Sequence, residues 1–406
     1  MSERSQHNLI CVAGKNNIAV AVLEYLVKNR RDRYELGIIC NQNESGKNTW
    51  QKSLRFYARQ NGISEYRLEE IYTIRNLIFI SLEFDSIVRP ERFADARLYN
   101  IHFSLLPQYK GMYTSAVPIL NGEEYVGVTF HKIDRGIDTG DIIAQKRFEL
   151  KDSYTSRDLY AQYISNGTKL VLEHIEAVIE NRVYAVPQPQ SKSSYYSKFY
   201  IDYTDLKIDL RQTADMIKRQ IRAFSFREYQ LPVVYGHQII AAEITDTKST
   251  KKPGTVLTEQ EHGMVVSTID YNILLHFDRF EELLDACQCG DLSKVKDICV
   301  VDAHINAANG KGWTPLIVAT YNNHLDIVRY LLVNGADPHA RSNNGTNLLM
   351  YAKDAYLNSG SIELFRLFYN MGIDVKEQDY AGKDLAFYLQ KDGLNVEDLI
   401  NEAVAK

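Results

Sequence analysis

At 406 residues, 45% hydrophobic and 24% charged, the chain has the make-up of an ordinary globular protein with room for two or three domains. A formal net charge of −5 disfavours a nucleic-acid backbone as the main partner. Five cysteines without a framework (Cys11, Cys40, Cys287, Cys289, Cys299) argue against a disulfide scaffold and for reduced thiols in a cytoplasm-like compartment.

The first seventeen residues carry charge and polarity and lack the long apolar core of a signal peptide, and no apolar run reaches the roughly eighteen residues of a spanning helix. A cytoplasmic protein without membrane contact is expected. "HNLICVAGKNNIAVAVLEYLVKNRRDRYELGIICNQ" reads as strand, turn, helix, strand. "VAGKNNIAV" matches neither glycine-rich nucleotide fingerprint and is expected to be a tight strand-to-helix turn. "RNLIFISLEF" and "ARLYNIHFSLLP" are short apolar runs suited to buried parallel strands. A helix at "DLYAQYISNGTKLVLEHIEAVIENR" closes an α/β layer domain, placed at residues 1–184.

"VPQPQSKSSYYSKFY" reads as a boundary, rich in Pro, Gln and Ser. Beyond it "TADMIKRQIRAF" is helical, and "LPVVYGHQIIAAEIT", "GTVLTE" and "GMVVSTIDYNILLHF" are strand-like. Residues 185–278 are therefore expected to form a small mostly-β domain. The remainder, 279–406, repeats itself. At a shift of 33 residues Leu292 matches Leu325, Val295 matches Val328 and Gly312 matches Gly345. A third copy, "AGKDLAFYL", follows at 37, with "YLNSG" as the insertion. "KGWTPLIVATYNNHLDIVRYLLVNGADPHA" resembles the ankyrin repeat, which implies an all-α array of stacked helix pairs. Cys287 and Cys289 form a C-x-C pair with no second cluster at metal-site spacing, so both are expected to pack rather than bind metal, and no metal site is expected.

The chemistry concentrates in "NIHFSLLPQYKG". Asn100 and His102 lie two apart on a strand and share a face, near the end that opens on the ligand crevice of α/β sheets. The motif N-x-H-x-S-L-L-P-x-x-x-G, with Asp138 in "DRGIDTGDII", resembles the formyltransferases that use N10-formyltetrahydrofolate. That family includes the methionyl-tRNA, glycinamide ribonucleotide and sugar N-formyltransferases. The resemblance spans residues 8–245 and implies a Rossmann-like catalytic core with Asn100, His102 and Asp138 as its triad. It departs at Phe103, where many members carry Pro. The residue types suit formyl transfer to an amine. Asn100 can donate to the oxyanion of the tetrahedral intermediate, a donor worth about 3 kcal/mol. His102 can carry the proton from the attacking amine to the leaving nitrogen, and a nearby carboxylate would orient it. Asp138 and Asp141 are both candidates on residue type, and the family spacing selects Asp138.

By resemblance, the folate's pterin ring would be lined by Glu83, Phe84 and Asp85 and by the loop 135–141, including Ile137, Thr139 and Asp141. The segment "RAFSFREYQLP" resembles the nucleotide-facing helix end of sugar formyltransferases. There Arg222 would pair with phosphate, and Phe226 or Tyr229 would stack on a base; packing of the domains is the other reading of the same run. The acceptor implied is a nucleotide-linked, dTDP-type amino-dideoxyhexose for bacterial surface polysaccharide such as the O-antigen of lipopolysaccharide. A homodimer is implied as well. The base and the C3 or C4 position of the amine are not legible. A methionyl-tRNA-type enzyme and a non-enzymatic ankyrin scaffold are the alternatives. The repeats imply a protein partner or a second small-molecule site, with Trp313 at a repeat tip and Tyr321 and Tyr330 in the same repeat.

Overall fold

The computed structural model describes residues 8–189 and 191–404, so the extreme N-terminus on which the targeting expectation rested lies outside it. Two compact units emerge. One takes the described residues to Lys47 and Gln51–Pro232; the other takes Asn48–Trp50 and the chain from Val233 on.

The first unit begins with β1 (Leu9–Gly14), α1 (Asn16–Asn29), β2 (Glu35–Cys40), α2 (Leu54–Gln60) and β3 (Ser64–Glu65). It continues with β4 (Leu77–Leu82), β5 (Ala96–His102), β6 (Lys110–Gly111), α3 (Val117–Asn121), β7 (Tyr125–Lys132) and β8 (Ile142–Glu149). It ends with α4 (Ser156–Ile179), β9 (Tyr195–Tyr196) and α5 (Ala214–Phe224). Seven strands form one sheet in the order β3-β2-β1-β4-β5-β7-β8. β3 to β5 pair in parallel, and β7 and β8 add antiparallel. Every residue of β1 and β4 is buried, as expected of strands covered on both faces. The period of two divides them: Ile10 and Val12 join the core with α1 and α4, whereas Leu9, Cys11 and Phe79 face a second cluster. α4 starts on a capping box, Thr155 accepting from Asp158 N–H, and buries Leu159, Tyr163, Leu170, Val171 and Ile175.

Strand order reverses between β1 and β4, because the chain returns to the other side of β1 after β3. The carboxyl ends of β1, β4 and β5 therefore flank the crevice where open α/β sheets hold ligands. Four non-glycine residues around those ends have left-handed backbone: Asn16 (φ 67°), Glu83 (60°), Tyr109 (58°) and Asp138 (54°). Such strain clusters where function holds the chain in place.

The segment after residue 184 packs within this unit as far as Pro232. β9 pairs with β6, Tyr196 stacks on Tyr109 at 5.5 Å, and Ala223 and Phe224 of α5 enter the main core. Polar composition disguised a strap whose few aromatics are its anchors.

The second unit holds an antiparallel sheet: β10 (Val233–Val234), β11 (His237–Lys248), β12 (Val256–Gln260), β13 (Gly263–Val266) and β14 (Tyr271–Phe277), ordered β10-β11-β14-β13-β12. Helices follow: α6 (Phe280–Cys289), α7 (Leu292–Ile298), α8 (Pro315–Tyr321), α9 (Leu325–Val333), α10 (Leu348–Ser359), α11 (Glu363–Asn370), α12 (Leu385–Lys391) and α13 (Val396–Val404). Sheet and helices fall within the same compact unit. Arg279, 5% exposed at the start of α6, binds Glu261 and His262 of the β12–β13 turn together with Glu282 and Asp297. The repeat is visible residue by residue. Thr314, Asn347 and Asp384 each cap the next helix by accepting a backbone N–H. Gly312, Gly345 and Gly382 all have positive φ at the tips, and backbone bonds Asn343 N–H to Lys311 and Tyr380 N–H to Asn344 join successive tips. The insertion at 356–360 lengthens α10 to 12 residues against 7 in α8. One expectation is corrected: Cys287 is buried, but Cys289 is exposed. Two residues apart on a helix point to opposite sides, so the pair cannot share a core.

Among the described residues no helix is long and apolar enough to cross a membrane.

Candidate active site

Asn100 and His102 stand at the end of β5, where Asn100 is in register with Ser81 of β4 and His131 of β7. The loop after β7 carries Asp138, whose left-handed backbone a short polar residue tolerates. Its Oδ2 accepts the N–H of Gly111 at 2.9 Å and lies 3.5 Å from His102 Nδ1. Its Oδ1 lies 3.5 Å from Asn100 Nδ2. The structure thus brings the three residues together, with the side chains of His102 and Asp138 only 9% and 13% exposed.

The His102 ring has a defined sense. Nε2 sits 2.8 Å from the carbonyl oxygen of Tyr109, and a carbonyl only accepts, so Nε2 carries a hydrogen. The proton that can come and go is therefore on Nδ1, facing Asp138. The Tyr109 hydroxyl in turn bonds Glu123, which ties this arm of the site to the turn after α3.

Sequence reasoning passed over His131. It is buried, its Nδ1 donates 2.7 Å to the Lys132 carbonyl, and its Nε2 meets Asn100 Nδ2 at 3.1 Å. Burial pushes its pKa down to about 4 against the pull of Asp138. Only cross-strand register places it beside Asn100; the sole clue in the sequence is a histidine inside a strand seven residues before Asp138. Gln188 was also missed, having been read as part of a boundary. Its Nε2 donates to the carbonyls of Asp138 (2.9 Å) and Gly140 (2.8 Å), clamping the loop.

The residues expected around the pterin separate. Glu83 turns toward the start of α1, accepting from Tyr160 Oη at 2.7 and 2.8 Å and from Asn16 Nδ2 at 3.2 Å. Burial pushes its carboxyl up to about 7. Phe84 packs edge-on against Phe79, 6.1 Å between centroids, and Asp85 is exposed and bonded to Ser86. In the loop, Thr139 bonds Asp134 at 2.6 Å, Ile137 is exposed, and Asp141 accepts Lys132 N–H through its carbonyl. It is the carboxylate of Asp138, not of Asp141, that lies against His102.

Phe226 and Tyr229 come together, 4.7 Å between centroids, and Phe226 meets Tyr160 at 5.6 Å. This joins them to Glu83 through Tyr160. Arg222 goes elsewhere. Its guanidinium donates to the carbonyls of Tyr154 (2.9 Å) and Lys151 (2.8 Å), in the wall of a polar cavity of about 540 Å³ shared with Glu123 and Arg219. In the second unit Trp313 lies 5.9 Å from Tyr321, and both meet Tyr351; Tyr330 stands apart with its ring toward Lys296.

Comparison with known proteins gives the family. The formyl transferase family matches residues 88–175, its C-terminal domain residues 200–281, and ankyrin repeats in three copies residues 283–379. Methionyl-tRNA formyltransferase of Fervidobacterium nodosum is 30% identical over 294 residues, 67% of this chain and 91% of its own length. The crystal structure of WlaRD, a sugar 3N-formyltransferase solved with dTDP and 5-N-formyl-THF, is 41% identical with a TM-score of 0.62. It covers 68% of this chain and 99% of that one. An N-formyltransferase from Helicobacter canadensis, in complex with folinic acid and dTDP-3-aminofucose, is 43% identical with a TM-score of 0.61, covering 66% of this chain and 99% of that one. The chain belongs to the formyl transferase family, and its formyl transferase domains are followed by ankyrin repeats.

Proposed function

We propose that this protein moves the formyl group of N10-formyltetrahydrofolate onto the amine of a dTDP-linked 3-amino-dideoxyhexose. The observation that carries the reading is the meeting of the buried His102 with the half-buried Asn100 and Asp138 at the carboxyl end of β5. The amine attacks the formyl carbon, the C–N10 bond breaks, and tetrahydrofolate and a formamido sugar leave. Asn100 donates an N–H to the oxygen that becomes negative. His102, facing Asp138, takes the proton lost by the attacking amine and returns it to N10. Phe226, Tyr229 and Glu83 are the candidate acceptor contacts, and the loop 135–141 is the candidate edge reader of the pterin. The sugar and its C3 amine are carried over from the two sugar-formyltransferase neighbours, which are more alike in sequence than the methionyl-tRNA relative. The net charge of −5 points away from tRNA as well. The product would serve bacterial surface polysaccharide, made by a homodimer in the cytoplasm. The Trp313, Tyr321 and Tyr351 group is the candidate place for a protein partner or a second small molecule.

Initial rates with dTDP-3-amino, dTDP-4-amino and UDP-linked amino sugars, and with charged initiator tRNA, test the acceptor. The dTDP-3-amino sugar should lead by at least about tenfold, the worth of one good polar contact. A preference for tRNA would replace this reading with the methionyl-tRNA one.

A further inference from the structure

His131 takes no part in the chemistry above, yet it is buried against the residue that does. Its Nδ1 bonds a carbonyl and so must carry hydrogen; in the neutral ring Nε2 then has only a lone pair. A lone pair at 3.1 Å requires a donor, and Asn100 presents its Nδ2 there. The carboxamide therefore has one allowed sense. One N–H is held by His131, and the other reaches only a long 3.5 Å contact with Asp138 Oδ1.

Resting on the proposed formyl transfer, we propose that His131 is a positioning residue: its bare Nε2 fixes the Asn100 carboxamide so that the second N–H is available to the developing oxyanion. A protonated ring would reverse the arrangement. Nε2–H would repel the amide nitrogen, turn the carboxamide over, and present an oxygen where negative charge develops. The groups facing the ring are Asp138, His102 and Asp134, and Asp138 is the nearest acid at 3.8 Å. Burial outweighs the two carboxylates and keeps the ring neutral through the working pH range.

Two measurements on the full chain decide it. Long-range ¹H–¹⁵N NMR of the histidine rings should show His131 as the neutral Nδ1–H tautomer from pH 5 to 8. An Nε2–H tautomer, or a ring titrating near its ordinary value, overturns the proposal. In kinetics, His131→Gln offers an amide oxygen near the Nε2 position, and His131→Leu offers none. The Gln variant should keep kcat within about threefold, while the Leu variant should lose roughly 10- to 100-fold in kcat with KM for both substrates nearly unchanged. A folded Leu variant with wild-type kcat, or a Gln variant that falls as far as Leu, overturns it. If the wild-type protein formylates no amino sugar, the proposed function fails, and the NMR result still decides the role of His131.

Discussion

His102 and Asp138 meet with Nδ1 3.5 Å from Oδ2, while the other nitrogen of the same ring donates to the Tyr109 carbonyl. The ring is thus pinned on one side and left one mobile proton on the other. β5 pairs with β7, and the loop leaving β7 folds Asp138 back over the end of β5. Asp138→Asn keeps a side chain that accepts the left-handed backbone and removes the charge. We expect kcat to fall about 10²- to 10⁴-fold with little change in melting temperature, and His102→Ala to match it. Single-turnover formation of formamido sugar measures this; a wild-type rate in either variant would contradict the assignment.

Asn100 is expected to act only once charge develops. Asn100→Ala should lower kcat about 10²- to 10³-fold and leave KM for both substrates nearly unchanged. Asn100→Asp should be at least as impaired, because a carboxylate beside the forming oxyanion repels it. Steady-state kinetics separate the outcomes: a change confined to KM would make Asn100 a binding residue instead.

Gln188 holds the Asp138 loop through two carbonyls 2.8 and 2.9 Å away. Gln188→Ala should cost about 10-fold in kcat, through misplacement of Asp138, with global stability nearly intact. Circular dichroism melts alongside kcat check this pair of expectations.

Glu83 gives the unit a pH signature. Burial raises its carboxyl from an ordinary value near 4.5 to about 7, against the pull of the Tyr160 hydroxyl, Lys15 and Asn16. A raised carboxyl binds its proton more tightly folded than unfolded. Its contribution to stability is present below about pH 4.5 and is lost as pH rises through 7. His131 has the opposite sign, since its lowered value makes stability fall as pH drops from 6.5 toward 4. Glu83→Gln does not titrate, so its melting temperature should gain on the wild type between pH 5 and pH 8, roughly 2–4 °C per kcal/mol. It should also show a steeper acid loss, with His131 no longer offset. A gap that stays constant with pH would contradict the account.

The strands, the long helix and the repeats were legible because their signals are local. The largely apolar runs of β1 and β4 and the tip glycines 33 and 37 residues apart are written in the chain itself. The meeting of Asn100, His102 and Asp138 was legible through motif spacing. His131 and Gln188 were not, because each owes its place to a partner that tertiary pairing supplies: Asn100 across the sheet, and the Asp138 loop 50 residues away. A guanidinium at a helix end suggested phosphate for Arg222, and what the sequence did not show is that it donates to two carbonyls of the loop before α4. The anchoring of the segment after 184 was not legible either, since a polar stretch can still be held by a few rings such as Tyr196 and Phe224.

Mass spectrometry of the product made from N10-formyltetrahydrofolate and a dTDP-linked 3-amino sugar confronts this account most directly. A gain of one formyl group with the wild-type protein, and almost none with Asp138→Asn over the same time, is the predicted outcome. A sugar left unmodified by the wild-type enzyme, or formylated equally well by the variant, would contradict it.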